Sequence, residues 1–162
     1  MIHFPYEQPP SAGEAIEVAE GVFWIRLPLP MRLDHVNVYA LDDGDSWTVI
    51  DTGFNSRKGR EIWEALMSGP LKGKPIRRVL VTHHHPDHVG LAGWFMQNGA
   101  TLCMPRTGWL MARMLTLDVQ ETLSAEALAF YRLAGMDPDV LAQRRADRPF
   151  NFADCVAPLP LG

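Results

Sequence analysis

Alternating hydrophobic and polar positions dominate the first fifty residues and predict short β-strands. AIEVAEGVFWIRLPLP is typical of two strands that meet at a turn over Glu20 and Gly21. HVNVYAL and SWTVID lie on either side of DDGD, where Asp-Gly supplies the positive φ that a tight hairpin turn requires. Residues 1–14 contain three prolines and show no period, so they predict an N-terminal arm.

After the hairpin, segments with the apolar spacing of helices alternate with segments that are typical of strands. The apolar residues of SRKGREIWEALMSG form one helical stripe, and Gly69 follows as a stop. IRRVLVT predicts a strand whose apolar run VLV lacks alternation, which is typical of a strand covered on both faces. HVGLAGWFMQNG predicts one short helix and ATLCMP a further strand. This order predicts a layered α/β architecture with a mixed sheet.

From Pro105 to Asp147 the pattern is helical, and Asp137 followed by Pro138 is typical of a helix start. The first part of this segment is rich in Met, Leu and aromatic residues. It is either a lid over a substrate cleft or a helical pair that packs its apolar stripe on the sheet. We prefer the second interpretation, because such spacing is what any core-facing helix shows.

Composition and charge narrow the class of protein. The chain has 162 residues, 47% hydrophobic and 21% charged, a balance that suits one compact domain. Its net charge of −4 argues against nucleic-acid and membrane partners. Cys103 and Cys155 are too few for a disulfide framework, and the N-terminus lacks the regions of a signal peptide. We therefore expect a cytoplasmic protein.

The segment THHHPDH places four histidines and one aspartate within residues 83–88. In an extended chain His83 and His85 project to the same side, about 7 Å apart at Cα, and His84 points away. The following proline turns the chain, so that Asp87 and His88 face together. Such nitrogen and oxygen donors suit zinc, iron or manganese. A polar loop can collect histidines without metal, but this spacing behind an apolar strand favours a metal site that hydrolyses its substrate.

This H-x-H-x-D-H spacing resembles the metallo-β-lactamase superfamily, and TVIDTG resembles the family's other early motif. The resemblance covers roughly residues 15–103. It implies two divalent metal ions, most suitably zinc, with iron or manganese as alternatives. His83 and His85 would serve the first ion, and Asp87 and His88 the second. Asp51 would orient the ligands, although without the histidine motif we would interpret it as an ordinary turn aspartate.

The resemblance also implies a four-layer αββα sandwich built from two similar halves. Residues 1–162 would form a single, incomplete domain that contains the N-terminal half, with a helical insertion at about 105–147. The second half normally supplies the remaining ligands, including histidines, yet none of the 74 residues after His88 is a histidine. Nothing in the spacing of Asp118, Asp139, Asp154 or Cys155 marks them as substitutes. We therefore expect a homo-oligomer or a complementary C-terminal half as partner.

The predicted function is that of a metal-dependent hydrolase of the glyoxalase-II-like branch. Metal-bound hydroxide would attack a small-molecule thioester, lactone or related ester, with Asp87 as the catalytic carboxylate that orients the nucleophile. Because this chain would carry only the front half of the dinuclear site, its activity alone stays open. The alternatives are a catalytically silent half-domain that acts through assembly, and an iron-dependent oxidoreductase that resembles persulfide dioxygenases. The acidic balance counts against the family's nucleases.

Overall fold

A mixed six-stranded sheet forms the centre of the structure, a computed structural model that describes residues 5–160. The strands lie side by side in chain order: β1 (Ile16–Ala19), β2 (Val22–Pro28), β3 (His35–Asp42), β4 (Trp47–Ile50), β5 (Ile76–Leu80) and β6 (Thr101–Cys103). The first four strands pair antiparallel through short turns. β4, β5 and β6 pair parallel, and the helices between them form the crossovers that parallel pairs require. The α/β class with a mixed sheet is confirmed.

Six helices and one 3₁₀ turn accompany the sheet. They are α1 (Arg57–Ser68), α2 (Pro86–Val89), α3 (Ala92–Gln97), α4 (Arg106–Leu117), α5 (Ala125–Leu133), α6 (Pro138–Ala146) and the 3₁₀ turn Phe152–Asp154. The single helix predicted for HVGLAGWFMQNG is two helices, α2 and α3. The chain breaks between them because the backbone N–H of Leu91 donates to the Thr52 hydroxyl, 3.0 Å away, instead of to a helical carbonyl.

The hydrophobic core lies on the face of the sheet that α1 and α3 cover. Ala40, Val49 and Val79 are adjacent in neighbouring strands, and each is fully buried. Trp63 of α1 and Phe95 of α3 close this layer, with their ring centroids 5.0 Å apart in an edge-to-face contact. Each large apolar side chain buried here contributes about 1.5–3 kcal/mol to folding, so this face anchors the strand ends at which the motif residues lie.

The opposite face of the sheet carries a row of paired side chains that crosses all six strands. We call the surface that this row forms the open face. Its members are Ile16, Trp24, Tyr39, Ile50, Leu80 and Cys103. None of them is fully buried. The expectation that β5 is covered on both faces is therefore wrong, because Leu80 belongs to the open face while Val79 lies in the core.

The helical region from α4 to α6 packs differently from the sequence expectation. α4 buries only Gly108 and Ala112, and α5 and α6 bury no residue. The helical pair expected in the Met-rich part of this region corresponds to α4 and α5, and the expectation that it packs an apolar stripe on the sheet is wrong for α5, which contacts α6 instead. After α6 the chain returns to the core, where Phe152 and Cys155 are buried. That residues 105–147 form an insertion in a single domain stays a prediction.

Two further expectations concern the ends of the chain and the membrane. Residues 5–14 form no helix or strand, and residues 1–4 of the predicted arm lie outside the described residues, so the arm stays a prediction. Between residues 5 and 160, no helix is both long and apolar enough to cross a membrane.

Candidate metal centre

The residues singled out by the sequence meet at one edge of the sheet. Asp51 directly follows β4, and the segment from His83 to His88 follows β5 after two connecting residues. β4 and β5 are parallel neighbours, so their carboxyl ends lie side by side. In open α/β sheets, binding sites form at such carboxyl ends. The structure thus brings together residues that are more than thirty positions apart in the chain.

Asp51 is buried at this site and accepts hydrogen bonds from two of its neighbours. It is 5% exposed, and its Oδ1 accepts a hydrogen bond from the backbone N–H of Thr82 at 2.8 Å. Its Oδ2 accepts one from the Thr82 hydroxyl and one from Nδ1 of His88, each at 2.8 Å. Burial raises the pKa of the Asp51 carboxyl, but the hydrogen bonds from His88 and Thr82 outweigh it and bring the pKa below its ordinary value. Asp51 is therefore a carboxylate at neutral pH.

These hydrogen bonds orient the rings of two histidines. Because Nδ1 of His88 donates to Asp51, Nε2 is the nitrogen that carries the lone pair when the ring is neutral, and it lies 3.4 Å from Oδ2 of Asp87. The Thr82 hydroxyl donates to Asp51, so it accepts from Nδ1 of His83, 2.9 Å away. Nε2 of His83 then carries the lone pair, which faces Nδ1 of His85 at 3.0 Å. The Asp51–Thr82 pair thus orients the rings of His83 and His88.

The motif side chains form one patch. Nε2 of His83 lies 3.0 Å from Nδ1 of His85, and the ring centroids of His83 and His88 are 4.0 Å apart. Burial, followed by the neighbouring His88 and His85, lowers the pKa of His83, which favours the neutral ring that a ligand needs. Within residues 5–160, no group of three or more His, Cys, Asp or Glu side chains is arranged around one ion position.

The remaining titratable groups near the patch are less suited to binding a metal ion. Burial raises the pKa of the Cys155 thiol to about 12, and the thiol contacts the carbonyl oxygen of Phe152 at 3.3 Å. This cysteine is therefore protonated at neutral pH. Asp154 forms an ion pair with Arg148 at 2.7 Å. His84 contacts the ring of His85, with centroids 5.1 Å apart, and no contact joins it to Asp51.

Two threonines that hold the site together were missed in the sequence. Thr82 links Asp51 to His83, as described above. Thr52 donates from its backbone N–H and from its hydroxyl to the carbonyl oxygen of His88, each at 2.8 Å. The only signal was position, because Thr82 immediately precedes the first motif histidine and Thr52 immediately follows Asp51. A pairing across more than thirty residues cannot be inferred from the local pattern.

Comparison with curated proteins finds two relatives from Bacillus subtilis (strain 168). The probable metallo-hydrolase YqjP is 42% identical over 77 residues, which are 47% of this chain and 24% of that protein. The probable metallo-hydrolase YybB is 31% identical over 83 residues, which are 50% of this chain and 35% of that protein. The aligned part of the chain thus spans about a quarter to a third of the length of these relatives.

A solved structure and a family model extend the comparison. A beta-lactamase domain protein from Burkholderia ambifaria is similar to 95% of this chain, which covers 44% of that structure, with a TM-score of 0.79 and 34% identity. The model of the metallo-beta-lactamase superfamily matches residues 31–111, which is half of this chain and includes Asp51 and the histidine cluster. The chain belongs to the metallo-beta-lactamase superfamily.

Proposed function

We propose that the chain supplies ligands to a two-metal centre that hydrolyses a small-molecule thioester, lactone or related ester. The observation that carries this proposal is the hydrogen bonding of Asp51, which engages Nδ1 of His88 directly and Nδ1 of His83 through Thr82, so that Nε2 of both rings lies beside the other motif side chains. Both curated relatives are named probable metallo-hydrolases, which supports hydrolysis as the class of reaction.

The donor set of the patch fits a divalent metal. Three imidazoles and one carboxylate are the ligands that zinc accepts most readily, and iron and manganese accept them too. Ligand histidines in metalloproteins usually donate their second ring N–H to an oxygen, as His88 does to Asp51. We assign His83 and His85 to one ion and Asp87 and His88 to the other.

The protein groups have separate roles in the proposed reaction. Zinc bound there would act as a Lewis acid and would lower the pKa of a water molecule bound to it. The Thr82 hydroxyl, itself bound to Asp51, positions His83, and His85 is positioned by its contact with Nε2 of His83 at 3.0 Å. Asp87, whose carboxylate lies beside His88 and is partly exposed, accepts a hydrogen bond from the attacking water and orients it. We therefore propose Asp87 as the catalytic carboxylate.

The proposed centre would need ligands beyond the two per ion assigned to this chain, and we propose that a partner on the open face supplies them. Two ligands per ion are fewer than the three that catalytic zinc sites usually take from protein. Leu80 of the open face is three residues before His83, so whatever covers this face also borders the centre. We propose that a complementary C-terminal half or a second copy does so. The same observation supports the alternative of a catalytically silent half-domain that acts through assembly.

Zinc binding by matched histidine variants tests the proposal. We expect His85→Ala to lose bound zinc, measured by plasma mass spectrometry after equilibrium dialysis, because His85 is one of two ligands of its ion. His84→Ala is the control, since its ring is outside the Asp51 network, and it should bind as much zinc as the unmodified chain. Equal zinc in both variants would contradict the assignment.

Hydrolysis assays then separate the two functions. Zinc-loaded protein is tested with a thioester and a lactone, with Asp87→Asn as the inactive reference. Turnover that Asp87→Asn abolishes supports the hydrolase. Zinc binding without turnover of either substrate supports the silent half-domain.

A further inference from the structure

We propose a second binding site on the chain, for small apolar molecules that carry one anionic group. The site is a groove along β6, the outermost strand of the sheet, between α3 and α4. We call it the edge groove. The side chains that define it are Met96, Leu102, Met104, Arg106, Trp109 and Leu110. Its volume is about 730 Å³, which lies within the range of about 300–1,000 Å³ typical of small-molecule sites.

The walls of the edge groove are apolar and adaptable. Met96 and Met104 are flexible thioethers that can fit ligands of different shape. Leu110 is 54% exposed, so its apolar surface lies in water unless a ligand covers it. Covering such surface with an apolar ligand is favourable because it removes the surface from water. These features favour a ligand with a substantial hydrocarbon or aromatic body.

Trp109 gives the groove one fixed wall. The guanidinium of Arg113 lies 5.1 Å from the centroid of the indole ring, and Arg113 also donates to the carbonyl oxygen of Leu159 at 2.8 Å. This contact holds the indole before any ligand arrives. A ligand therefore loses less free energy to ordering this wall than it would with a mobile side chain.

Arg106 gives the edge groove a preference for anionic ligands. It is the only charged residue that lines the edge groove. Among the hydrogen bonds and ion pairs of residues 5–160, none involves its side chain. A planar guanidinium without a partner, beside an apolar wall, complements a carboxylate, sulfonate or phosphate on an apolar body. A docked β-strand fits less well, because β6 offers an edge of only three residues.

The edge groove is separate from the metal centre. Gly108 of α4 stands between them: a Cβ at this position would lie 3.2 Å from Cε of Met104 and 3.9 Å from the backbone nitrogen of His84. None of the proposed metal ligands lines the groove. The inference therefore does not depend on the proposed hydrolysis, and it can be tested on metal-free protein.

Calorimetric titration with two probes of equal chain length tests the charge preference. Dodecanoate and dodecyltrimethylammonium are each titrated below their micelle concentrations, with a chelator present. The unmodified chain should bind dodecanoate more tightly. Arg106→Gln should raise the dissociation constant for dodecanoate about twofold to fivefold, as expected for a partly screened ion pair, and Arg106→Glu should reverse the preference.

A matched control excludes general binding of amphiphiles. A second apolar groove between α5 and α6 is lined by Arg132, so Arg132→Glu changes an arginine in a similar setting. This variant should bind dodecanoate as the unmodified chain does. Leu110→Glu should weaken dodecanoate binding, and circular dichroism should show that each variant is folded. No binding by the unmodified chain, or equal effects of Arg106→Glu and Arg132→Glu, would overturn the proposal.

Discussion

Asp51 combines an unusual backbone with a central position in the candidate site. Its φ is 60°, in the left-handed region that costs an L-residue about 1–2 kcal/mol and that aspartate tolerates better than most. This conformation places the carboxylate between Thr82 and His88, where it accepts hydrogen bonds from both. Backbone strain of this kind concentrates at functional sites. The geometry therefore favours an orienting role over that of an ordinary turn aspartate.

The Asp51–His88 contact predicts a pH dependence of the metal-free chain. Burial lowers the pKa of His88, but the hydrogen bond to Asp51 outweighs it, so the pKa is raised in the folded chain. The contact therefore stabilises the fold below about pH 6.5, and this stabilisation is lost as the pH rises through the pKa that His88 has in the folded chain. The pKa of Asp51 is lowered, so its own contribution is present above about pH 3.8 and is lost on further acidification.

Asp51→Asn should accordingly lower the pKa of His88, measured by NMR titration of the imidazole protons with a chelator present. The loss in free energy of unfolding should be larger at pH 5 than at pH 9. Asp34→Asn is the control, because the Asp34 carboxylate pairs with His35 and Arg26, away from the Asp51 network. An unchanged His88 titration in Asp51→Asn would show that the hydrogen bond does not set its pKa.

The candidate residues could be identified from sequence, but their contacts could not. The spacing of THHHPDH is local, so it gives the donor types and their order along the chain. The hydrogen bond between Asp51 and His88 spans 37 positions and depends on how β4 and β5 pair. Thr82 and Thr52 had no distinguishing pattern of their own. The metal-binding roles of the motif residues stay predictions.

At the scale of elements, Gly90 allows α2 to pack against the loop after β4. A Cβ at this position would lie 2.4 Å from the carbonyl oxygens of both Gly53 and Pro86. Its own carbonyl oxygen accepts a hydrogen bond from Ala157 at 2.7 Å, so the returning C-terminal segment packs there as well. The close approach of these backbones keeps His88 beside Asp51.

Gly90→Ala should therefore destabilise the fold by about 1–3 kcal/mol, because the contacts are with backbone atoms that cannot move aside. Gly108→Ala is the matched control. The added methyl group there is crowded by the flexible end of Met104 at 3.2 Å and is at an ordinary contact distance of 3.9 Å from the backbone nitrogen of His84. Alanine also favours the helix, so the free energy of unfolding should be unchanged or higher. Urea denaturation measures both. Equal loss of stability in the two variants would refute the packing role of Gly90.

The elements that local pattern specifies were predicted well. The hairpin of β3 and β4 lies around Asp-Gly, and α1 begins after Ser56, whose hydroxyl accepts from the backbone of Gly59 at 3.0 Å. The division into α2 and α3 depends on Thr52, which lies far away in sequence. The apolar period of α5 and α6 predicts helices but not the surface they pack on, so their exposure was not foreseen.

At the scale of the whole molecule, the sheet is asymmetric. One face carries the core, and the open face carries apolar side chains such as Trp24, Tyr39 and Ile50 that no layer buries completely. Apolar side chains that remain partly exposed in one continuous row are typical of interfaces. Because the open face leads along β5 to the histidine segment, packing on this face and completion of the metal centre are expected to be coupled.

We therefore predict that the isolated chain associates through the open face. Tyr39 lies in the middle of the row, so Tyr39→Lys should place a charge in the interface and yield monomers at concentrations where the unmodified chain dimerises, measured by sedimentation velocity. Leu133→Lys is the matched control, because Leu133 is 85% exposed on α5 and lies outside the row. If only Leu133→Lys dissociates the dimer, the contact lies on the α5–α6 pair instead. If the unmodified chain is already monomeric, self-association is refuted and a complementary half becomes the proposed partner of the open face.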